Sequence, residues 1–253
     1  LIVSRGLGDV YKRQIYMKII TQTFGKSIFI VCCLIIIGVI IYKQVYISNR
    51  EPLSNNTKYS NKEYWGFDED NLLKKFDKTH VENYNSLTKK SFPVNTSYHV
   101  IKELEEIKDK QSTLTKERIS EIKKQINSEY TVPLFTKNKK IQDIIYKNLE
   151  EKVTPIIMKL KKHFNRARPY HLDNSIIPVI TAPKHPSYPS GHSTESYYIA
   201  YNLGKLYPEN KDIFLKTAKN IAENREYAGV HFKTDTEYGK LLGRELAELY
   251  PIS

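Results

Sequence analysis

A histidine that follows a short turn could do acid–base chemistry in this chain. Residues 187–193 read Ser-Tyr-Pro-Ser-Gly-His-Ser, so a Pro-Ser-Gly turn immediately precedes His192. The apolar-periodic run from Ser193 to Leu206 predicts a helix directly after this turn. A helix N-terminus presents free N–H groups and a partial positive charge, which favour an anion. His192 would then stand beside a bound phosphate-like group and exchange protons near neutral pH; an ordinary exposed loop is the alternative.

Two cations that precede this turn could bind the oxygen atoms of an anion. Lys161 and Arg168 are seven residues apart, or two helical turns, so both can lie on one side of a helix that ends before Pro169. Such cations are usually surface charges, but beside an anion they would clamp its oxygens. The apolar stripe between Ile141 and Phe164 predicts a long helix, kinked or interrupted at Pro155, that carries them.

A third cation and a second histidine follow the turn. Residues Lys211–Tyr227 have a helical apolar stripe, and Arg225 falls on it. A buried arginine is seldom left without an anionic partner. Asp235 lies four residues after His231, close enough to hold one imidazole nitrogen and to leave the other free for attack.

Helical periodicity elsewhere predicts the scaffold that must position these groups. It runs from Tyr98 to Lys110 and from Thr115 to Ile126, and we interpret both segments as scaffold helices without a catalytic role. Thr234 and Glu237 have the spacing of a capping box, which predicts that a last helix begins near Asp235. We therefore expect an all-α fold with the site where helix ends converge.

Composition limits the classes of partner. The chain has 253 residues and a net charge of +12 that is spread over most of its length. This balance suits an anionic substrate or a membrane surface, and we expect no nucleic-acid partner. Both cysteines, Cys32 and Cys33, lie in an apolar run near the N-terminus, so no disulfide or thiolate metal site is expected in the rest of the chain.

The N-terminal part is predicted to contain three segments before the helical domain at residues 96–253. Residues 1–16 resemble translated adaptor sequence and are interpreted as a non-native leader. Residues 17–48 are predicted to form an N-terminal transmembrane helix, with a cleaved signal peptide as the alternative. Residues 49–95 are interpreted as a polar tether. This arrangement predicts a single-pass protein of the cell membrane with an extracytoplasmic or periplasmic domain, or a secreted protein if the signal is cleaved.

Taken together, the candidate residues resemble the three-part signature of the phosphatidic acid phosphatase type 2 / haloperoxidase superfamily. The three parts are a lysine with six residues before Arg-Pro, the Pro-Ser-Gly-His turn, and an arginine with five residues before a histidine that precedes an aspartate. The local sequences around Arg168, His192 and His231 resemble most the bacterial class A non-specific acid phosphatases. The match covers about residues 150–249. It implies a compact helical bundle of the acid phosphatase/vanadium haloperoxidase type.

The resemblance implies a role for each residue of the signature. His231 would be the nucleophile that forms a phosphohistidine, Asp235 would orient it, and His192 would protonate the leaving alcohol and later activate water. The phosphate oxygens would be bound by five groups: Lys161, Arg168, Ser190, Gly191 and Arg225. No metal or other cofactor is implied, and vanadate would bind as an inhibitor.

Several residues near the motifs have weaker assignments. Arg166 matches an extra arginine of the acid phosphatase branch and is given a supporting role, whereas Asn224 stands where the family usually has a serine. Three histidines match no signature position and are interpreted as bystanders: His163, His171 and His185.

Four functions stay open at this point. The first is a membrane-anchored, metal-independent phosphomonoesterase; a lipid phosphate or polyprenyl pyrophosphate phosphatase is the second, because the tether keeps the site near a bilayer. A haloperoxidase would hold vanadate as its cofactor on His231, and a basic, membrane-tethered binding protein would have no activity. The phosphatase mechanism predicts a preference for acidic to neutral pH, because His192 must be protonated while His231 is neutral.

Overall fold

A computed structural model describes residues 17–18, 28–38 and 87–252 of the chain. The chain divides into two compact units, one from Leu1 to Pro52 and one from Leu53 to Ser253. The candidate site residues all belong to the second unit, so this unit is the one that bears on function.

In the first unit, residues 28–38 are helical and mostly exposed. Within the described part of the chain, no helix combines the length and the apolar character needed to cross a membrane. The predicted leader at residues 1–16 lies outside the described residues, as does most of the predicted anchor at 17–48 and of the tether at 49–95. The anchor and the leader therefore stay predictions.

The described part of the second unit, residues 87–252, is built from helices and contains no β-strand. This agrees with the expected all-α class. The α-helices are α1 (Tyr98–Ser112), α2 (Lys116–Lys124), α3 (Ser128–Thr131), α4 (Lys139–Asn148), α5 (Thr154–Phe164), α6 (Pro169–Leu172), α7 (Gly191–Leu206), α8 (Lys211–Tyr227) and α9 (Lys233–Leu249). Single 3-10 turns occupy Val132–Leu134 and Pro208–Asn210, and a π-helical turn occupies Leu149–Val153.

Helix α7 is the centre of this unit and packs most extensively against α8 and α9. Two glycines of α9 allow the close approach. A Cβ atom at Gly239 would lie 2.8 Å from the carbonyl oxygen of Ser190, and one at Gly243 would lie 2.5 Å from that of Thr194. Because backbone atoms cannot move aside as side chains do, larger residues would push the two helices apart. The contact brings the Pro-Ser-Gly-His turn at the start of α7 next to the start of α9.

The long helix predicted between Ile141 and Phe164 is interrupted, as expected, but the interruption lies about one turn before Pro155. The π-helical turn Leu149–Val153 joins α4 to α5, and Pro155 lies in the first turn of α5, where its missing N–H costs little. Helix α5 ends at Phe164, and the following residue, Asn165, adopts a left-handed conformation with φ of 48°. The chain leaves the helix here and delivers the next arginines to the site.

The described end of the predicted tether, residues 87–95, packs against the helices of the second unit. Leu87 is buried with the main core, and its carbonyl accepts a hydrogen bond from the Tyr238 hydroxyl at 2.7 Å. The Lys90 carbonyl accepts one from the Tyr188 hydroxyl at 2.9 Å. These carbonyls satisfy two tyrosine hydroxyls that are otherwise largely surrounded by apolar groups.

Candidate active site

Five of the predicted site residues line one cavity of about 330 Å³. They are Lys161, Gly191, His192, Arg225 and His231. They come from the end of α5, the start of α7, the end of α8 and the segment before α9, so helix ends converge here as expected. The other three predicted residues, Arg168, Ser190 and Asp235, are fully buried. Arg168 and Asp235 contact His231, and Ser190 immediately precedes Gly191.

A tight turn after α8 places His231. Gly229 has a φ of +72°, a conformation that other residues rarely adopt, and a Cβ atom there would lie 2.7 Å from the Gln111 side-chain nitrogen. The glycine lets the chain reverse within a few residues of Arg225. The arginine of one helix end and the histidine before the next helix are thereby brought to the same cavity.

His231 and Asp235 form the pair that the spacing predicts. His231 Nδ1 lies 3.0 Å from Asp235 Oδ2, so the carboxylate holds the proton on Nδ1 and leaves a lone pair on Nε2. That nitrogen lies 3.4 Å from Arg168 Nη1. Burial, followed by the nearby Arg168 cation, lowers the pKa of His231 well below its ordinary value. His231 is therefore a neutral imidazole with its free nitrogen directed toward the cations.

Asp235 is held by more groups than the sequence predicted. Its Oδ2 accepts hydrogen bonds from the Ser187 hydroxyl and from the Phe232 N–H, the latter at 3.0 Å. Its Oδ1 lies 2.5 Å from Arg166 Nη1. Burial by itself would raise the pKa of Asp235, but Arg166, His231 and the Ser187 hydrogen bond outweigh burial and bring the pKa below its ordinary value. Asp235 is therefore a carboxylate at neutral pH.

The predicted capping box at Thr234 and Glu237 is wrong. Helix α9 begins at Lys233, so Asp235 occupies the third helical position and its carboxylate accepts the Phe232 N–H. The Thr234 N–H donates to Glu103 instead, at 2.6 Å. Asp235 therefore both orients the histidine and caps the helix that carries it.

Arg166 and Glu103 form a buried ion pair behind Asp235. Arg166 Nη2 lies 3.4 Å from Glu103 Oε2, and its guanidinium carbon lies 3.9 Å from the centre of the Phe232 ring. Glu103 comes from α1, which was interpreted as scaffold. Its only sequence signal is its place on the buried face of α1, beside Leu104 and one turn before Ile107.

Lys161 is fully buried, and its ammonium is held by main-chain carbonyls. Nζ donates to Pro186 O at 2.8 Å and to Ser187 O at 3.0 Å. Burial, followed by repulsion from Arg168, lowers the pKa of Lys161 well below its ordinary value. An ammonium has three donors, so one is left for an oxygen in the cavity.

Arg168 is fixed by the segment that leads into the turn. Its Nε donates to His185 O at 2.9 Å and its Nη1 to Val230 O at 2.6 Å. His185 also faces this arginine with its ring, Nδ1 lying 3.2 Å from Arg168 Nη2, and it lines the cavity. The interpretation of His185 as a bystander is therefore not supported by its position, whereas His163 is exposed. Burial, Lys161 and Arg168 lower the pKa of His185 well below its ordinary value.

Arg225 is the least satisfied cation of the site. Its Nη2 donates to Ile122 O at 3.1 Å, but within residues 87–252 its buried Nε and Nη1 atoms have no hydrogen-bond partner. Burial lowers its pKa to about 10, so it is still charged at neutral pH. The anionic partner expected for an arginine on an apolar stripe is thus not supplied by the described residues. The neighbouring Asn224, at the family's serine position, donates to Gln125 at 2.9 Å.

His192 lies in the first turn of α7, which begins two residues earlier than predicted. Its Nε2 lies 2.9 Å from Ile126 O, so a neutral ring donates this proton to the carbonyl. Burial, followed by the Arg225 cation, lowers the pKa of His192 to about 3. Ser190, predicted to bind phosphate, caps α7 by accepting the Ser193 N–H at 3.4 Å.

A carboxyl group that the sequence analysis missed also lines the cavity. Glu195 follows His192 by one turn of α7, and its Oε1 accepts a hydrogen bond from the Thr154 hydroxyl at 3.1 Å. Both residues also line a neighbouring cleft of about 470 Å³. Burial raises the pKa of Glu195 to about 7, so this group changes its charge near neutral pH.

Part of the chain is similar to known proteins. A non-specific acid phosphatase from Salmonella typhi is 31% identical over 97 residues, which are 36% of this chain and 39% of the relative. The chain thus matches well under half of that relative's length.

Two solved structures are similar to the fold. A bacterial vanadium-dependent iodoperoxidase has 21% sequence identity and a TM-score of 0.46, covering 64% of this chain and 50% of its own. A transmembrane PAP2 type phosphatidylglycerolphosphate phosphatase from Bacillus subtilis has 22% identity and a TM-score of 0.46, covering 73% of this chain and 94% of its own.

The sequence profile of the PAP2 superfamily matches residues 153–250. This range includes all eight residues predicted from the signature. The region of the chain that carries the candidate active site is therefore similar to the PAP2 superfamily.

Proposed function

We propose that this protein is a phosphatase that hydrolyses phosphate monoesters through a phosphohistidine on His231. The proposal rests mainly on the environment of Arg225. This charged side chain is 1% exposed, and two of its guanidinium nitrogens have no hydrogen-bond partner in the described part of the chain. A buried cation with unpaired donors is unfavourable unless an anion completes it. Lys161 and the free Nε2 of His231 line the same cavity. A phosphate group bound there would satisfy the cations and meet a nucleophile.

In the first step, Nε2 of His231 attacks phosphorus and the bond to the leaving oxygen breaks. Asp235 accepts the Nδ1 hydrogen bond and so stabilises the positive charge that develops on the ring. Lys161, Arg168 and Arg225 stabilise the charge on the phosphoryl oxygens. His192 gives its proton to the leaving oxygen, and an alcohol departs.

In the second step, water attacks the phosphohistidine. His192, now neutral, takes a proton from this water as its oxygen bonds to phosphorus and the P–Nε2 bond breaks. Inorganic phosphate leaves, and His231 regains its neutral form. The two histidines therefore return to their starting protonation states after each turnover.

The acid role of His192 requires a bound anion. In the free protein its pKa of about 3 makes the ring neutral over the working range. The proposal requires that a phosphate dianion beside the ring offsets the effects of burial and of the Arg225 cation, so that the pKa of His192 rises and the ring is protonated in the substrate complex. Activity should therefore be highest at acidic to neutral pH, because the fraction of protonated His192 falls as the pH rises.

The test is hydrolysis of p-nitrophenyl phosphate by the purified full chain with EDTA present, beside the His231→Ala variant. We expect turnover that vanadate inhibits and that falls by roughly a thousandfold or more in the variant, because the covalent intermediate cannot form. The control is His163→Ala, since His163 is exposed and lies outside the cavity. Its activity should equal that of the wild type.

Other outcomes point elsewhere. Halide oxidation with vanadate and peroxide, without phosphate release, would replace the proposal with the haloperoxidase function. Turnover of a detergent-solubilised lipid phosphate far above that of p-nitrophenyl phosphate would assign the lipid class. Anchoring to a cell membrane through residues 17–48 is part of the proposal, and membrane fractionation of cells that express the full chain tests it.

A further inference from the structure

Helices α1 and α2 lie outside the region that matches the superfamily, yet both contact the candidate site. The match begins at residue 153. The Ile122 carbonyl at α2 receives Arg225, and the Ile126 carbonyl just after α2 receives His192. Helix α1 contributes a side chain, Glu103, whose carboxylate reaches the group behind the nucleophile.

The Glu103 carboxylate is 3% exposed and joins two elements of the site. Oε1 accepts the Thr234 N–H at 2.6 Å. Oε2 lies 3.2 Å from the Thr234 hydroxyl and 3.4 Å from Arg166 Nη2. The imidazole of His99, on the same helix, lies 4.0 Å from Oε2. One carboxylate thereby holds both the first turn of α9 and the guanidinium that contacts Asp235.

The charges form an alternating series from α1 to the nucleophile. Arg166 lies between Glu103 and Asp235, with Nη2 3.4 Å from the first and Nη1 2.5 Å from the second. Asp235 in turn holds His231 Nδ1 at 3.0 Å. Because Arg166 shares its positive charge between two carboxylates, Asp235 keeps negative charge to direct at His231.

We propose that Glu103 is a positioning residue for the nucleophile, which acts by fixing Arg166 and the start of α9 so that Asp235 holds His231 in its attacking orientation. This inference rests on the proposed function. It assigns part of the catalytic machinery to a helix outside the superfamily match. Glu103 does not contact the substrate cavity, so phosphate binding itself should depend little on it.

The test is the Glu103→Gln variant of the full chain. The amide oxygen can still accept the Thr234 N–H, but the negative charge is lost. Arg166 then acts on Asp235 alone, and the protonated form of His231 is less stabilised, so its pKa falls. We expect kcat for p-nitrophenyl phosphate to fall roughly tenfold, KM to change less than about twofold, and the acidic limb of the pH profile to move down by about half a pH unit.

The matched control is Asp109→Asn, which removes the same charge from an exposed position on the same helix. It should leave kcat and the pH profile unchanged. Active-site titration with vanadate normalises each rate to folded protein, so a merely structural role of Glu103 would reduce the titrated fraction without moving the acidic limb. Wild-type kcat and an unmoved limb in a folded Glu103→Gln protein would overturn the proposal.

A second variant covers the case in which the glutamine variant does not fold. Glu103→Asp keeps the negative charge but places it farther from Arg166, because the side chain is one methylene group shorter. We therefore expect a reduced kcat, with the acidic limb of the pH profile at the same pH as in the wild type. Wild-type kcat in this variant would also overturn the proposal. If the wild type itself has no turnover, the proposed function fails; if the wild type and Asp109→Asn turn over normally, only the role of Glu103 is at stake.

Discussion

Replacing Arg225 by methionine should make the ligand-free protein more stable. Burial lowers the pKa of Arg225 from its ordinary 12.5 to about 10, and this difference corresponds to about 3 kcal/mol of unfavourable free energy for the charged form in the folded state. Methionine fills much of the same space without charge. The variant leaves the Ile122 carbonyl without its donor, which costs about 1 kcal/mol. The net gain is about 2 kcal/mol.

The stabilisation by Arg225→Met should depend on pH in a defined way. A base with a depressed folded-state pKa destabilises the fold at every pH below that pKa, because the unfolded state stays charged at lower cost. The gain from Arg225→Met should therefore be constant between about pH 5 and pH 9. For a unit of this size, 2 kcal/mol corresponds to a rise in Tm of about 4–8 °C.

The assay is thermal unfolding of the full chain with and without inorganic phosphate. Phosphate at one hundred times its Kd should stabilise the wild type by about 2.7 kcal/mol, and the variant should lose most of this response and its activity. Arg244→Met is the control, since Arg244 is exposed and should change neither Tm nor the phosphate response. A ligand-free Arg225→Met protein that melts below the wild type would refute the reasoning, as would an equal phosphate response in both.

Two further predictions concern the cavity and the helix packing. Glu195, with a pKa raised to about 7, becomes a carboxylate above that pH and opposes anion binding, so Glu195→Gln should lower the KM for p-nitrophenyl phosphate at pH 8 by about threefold and leave it unchanged at pH 5.5; an equal change at both pH values contradicts this. Gly243→Ala should lower Tm by about 4–8 °C, because its Cβ would lie 2.5 Å from the Thr194 carbonyl oxygen. In Gly204→Ala the nearest atom to the new Cβ is Cγ of the flexible Lys211 side chain, at 3.1 Å, and the Lys211 Cα lies at an ordinary contact distance of 3.6 Å. This variant should stay within about 2 °C of the wild type, and equal losses would show that packing against α7 is not the cause.

The helices and the signature residues could be predicted from the sequence because their signals are local. The spacing of His231 and Asp235 fixes one helical turn between them, and the periodicity of Lys211–Tyr227 predicts the bounds of α8 that the structure has. The interruption at Pro155 was also predicted, to within one turn.

The residues that sequence reasoning missed are those whose partners are distant in the chain. Glu103 meets Arg166 across 63 residues, and Glu195 meets Thr154 across 41. No local pattern reports such a contact, because it depends on how separate helices pack. The capping box was misplaced for the same reason: Glu103, from α1, takes the Thr234 N–H that a local cap would have satisfied.

The charges around His231 differ between its two ring nitrogens. On the Nδ1 side the charges largely cancel, because one cation lies between two carboxylates: Arg166 between Asp235 and Glu103. On the Nε2 side, Lys161 is held by main-chain carbonyls and Arg225 has donors without a partner in the described residues.

Glu195 is a carboxyl that also lines this side, and at acidic pH its raised pKa keeps it neutral. The described residues thus give the cavity a positive charge near Nε2 of His231, the nitrogen that would attack. The negative charge that neutralises it has to come from the ligand. A dianionic phosphate fits this deficit better than a neutral or cationic substrate, because it adds about two negative charges where the fixed cations lie.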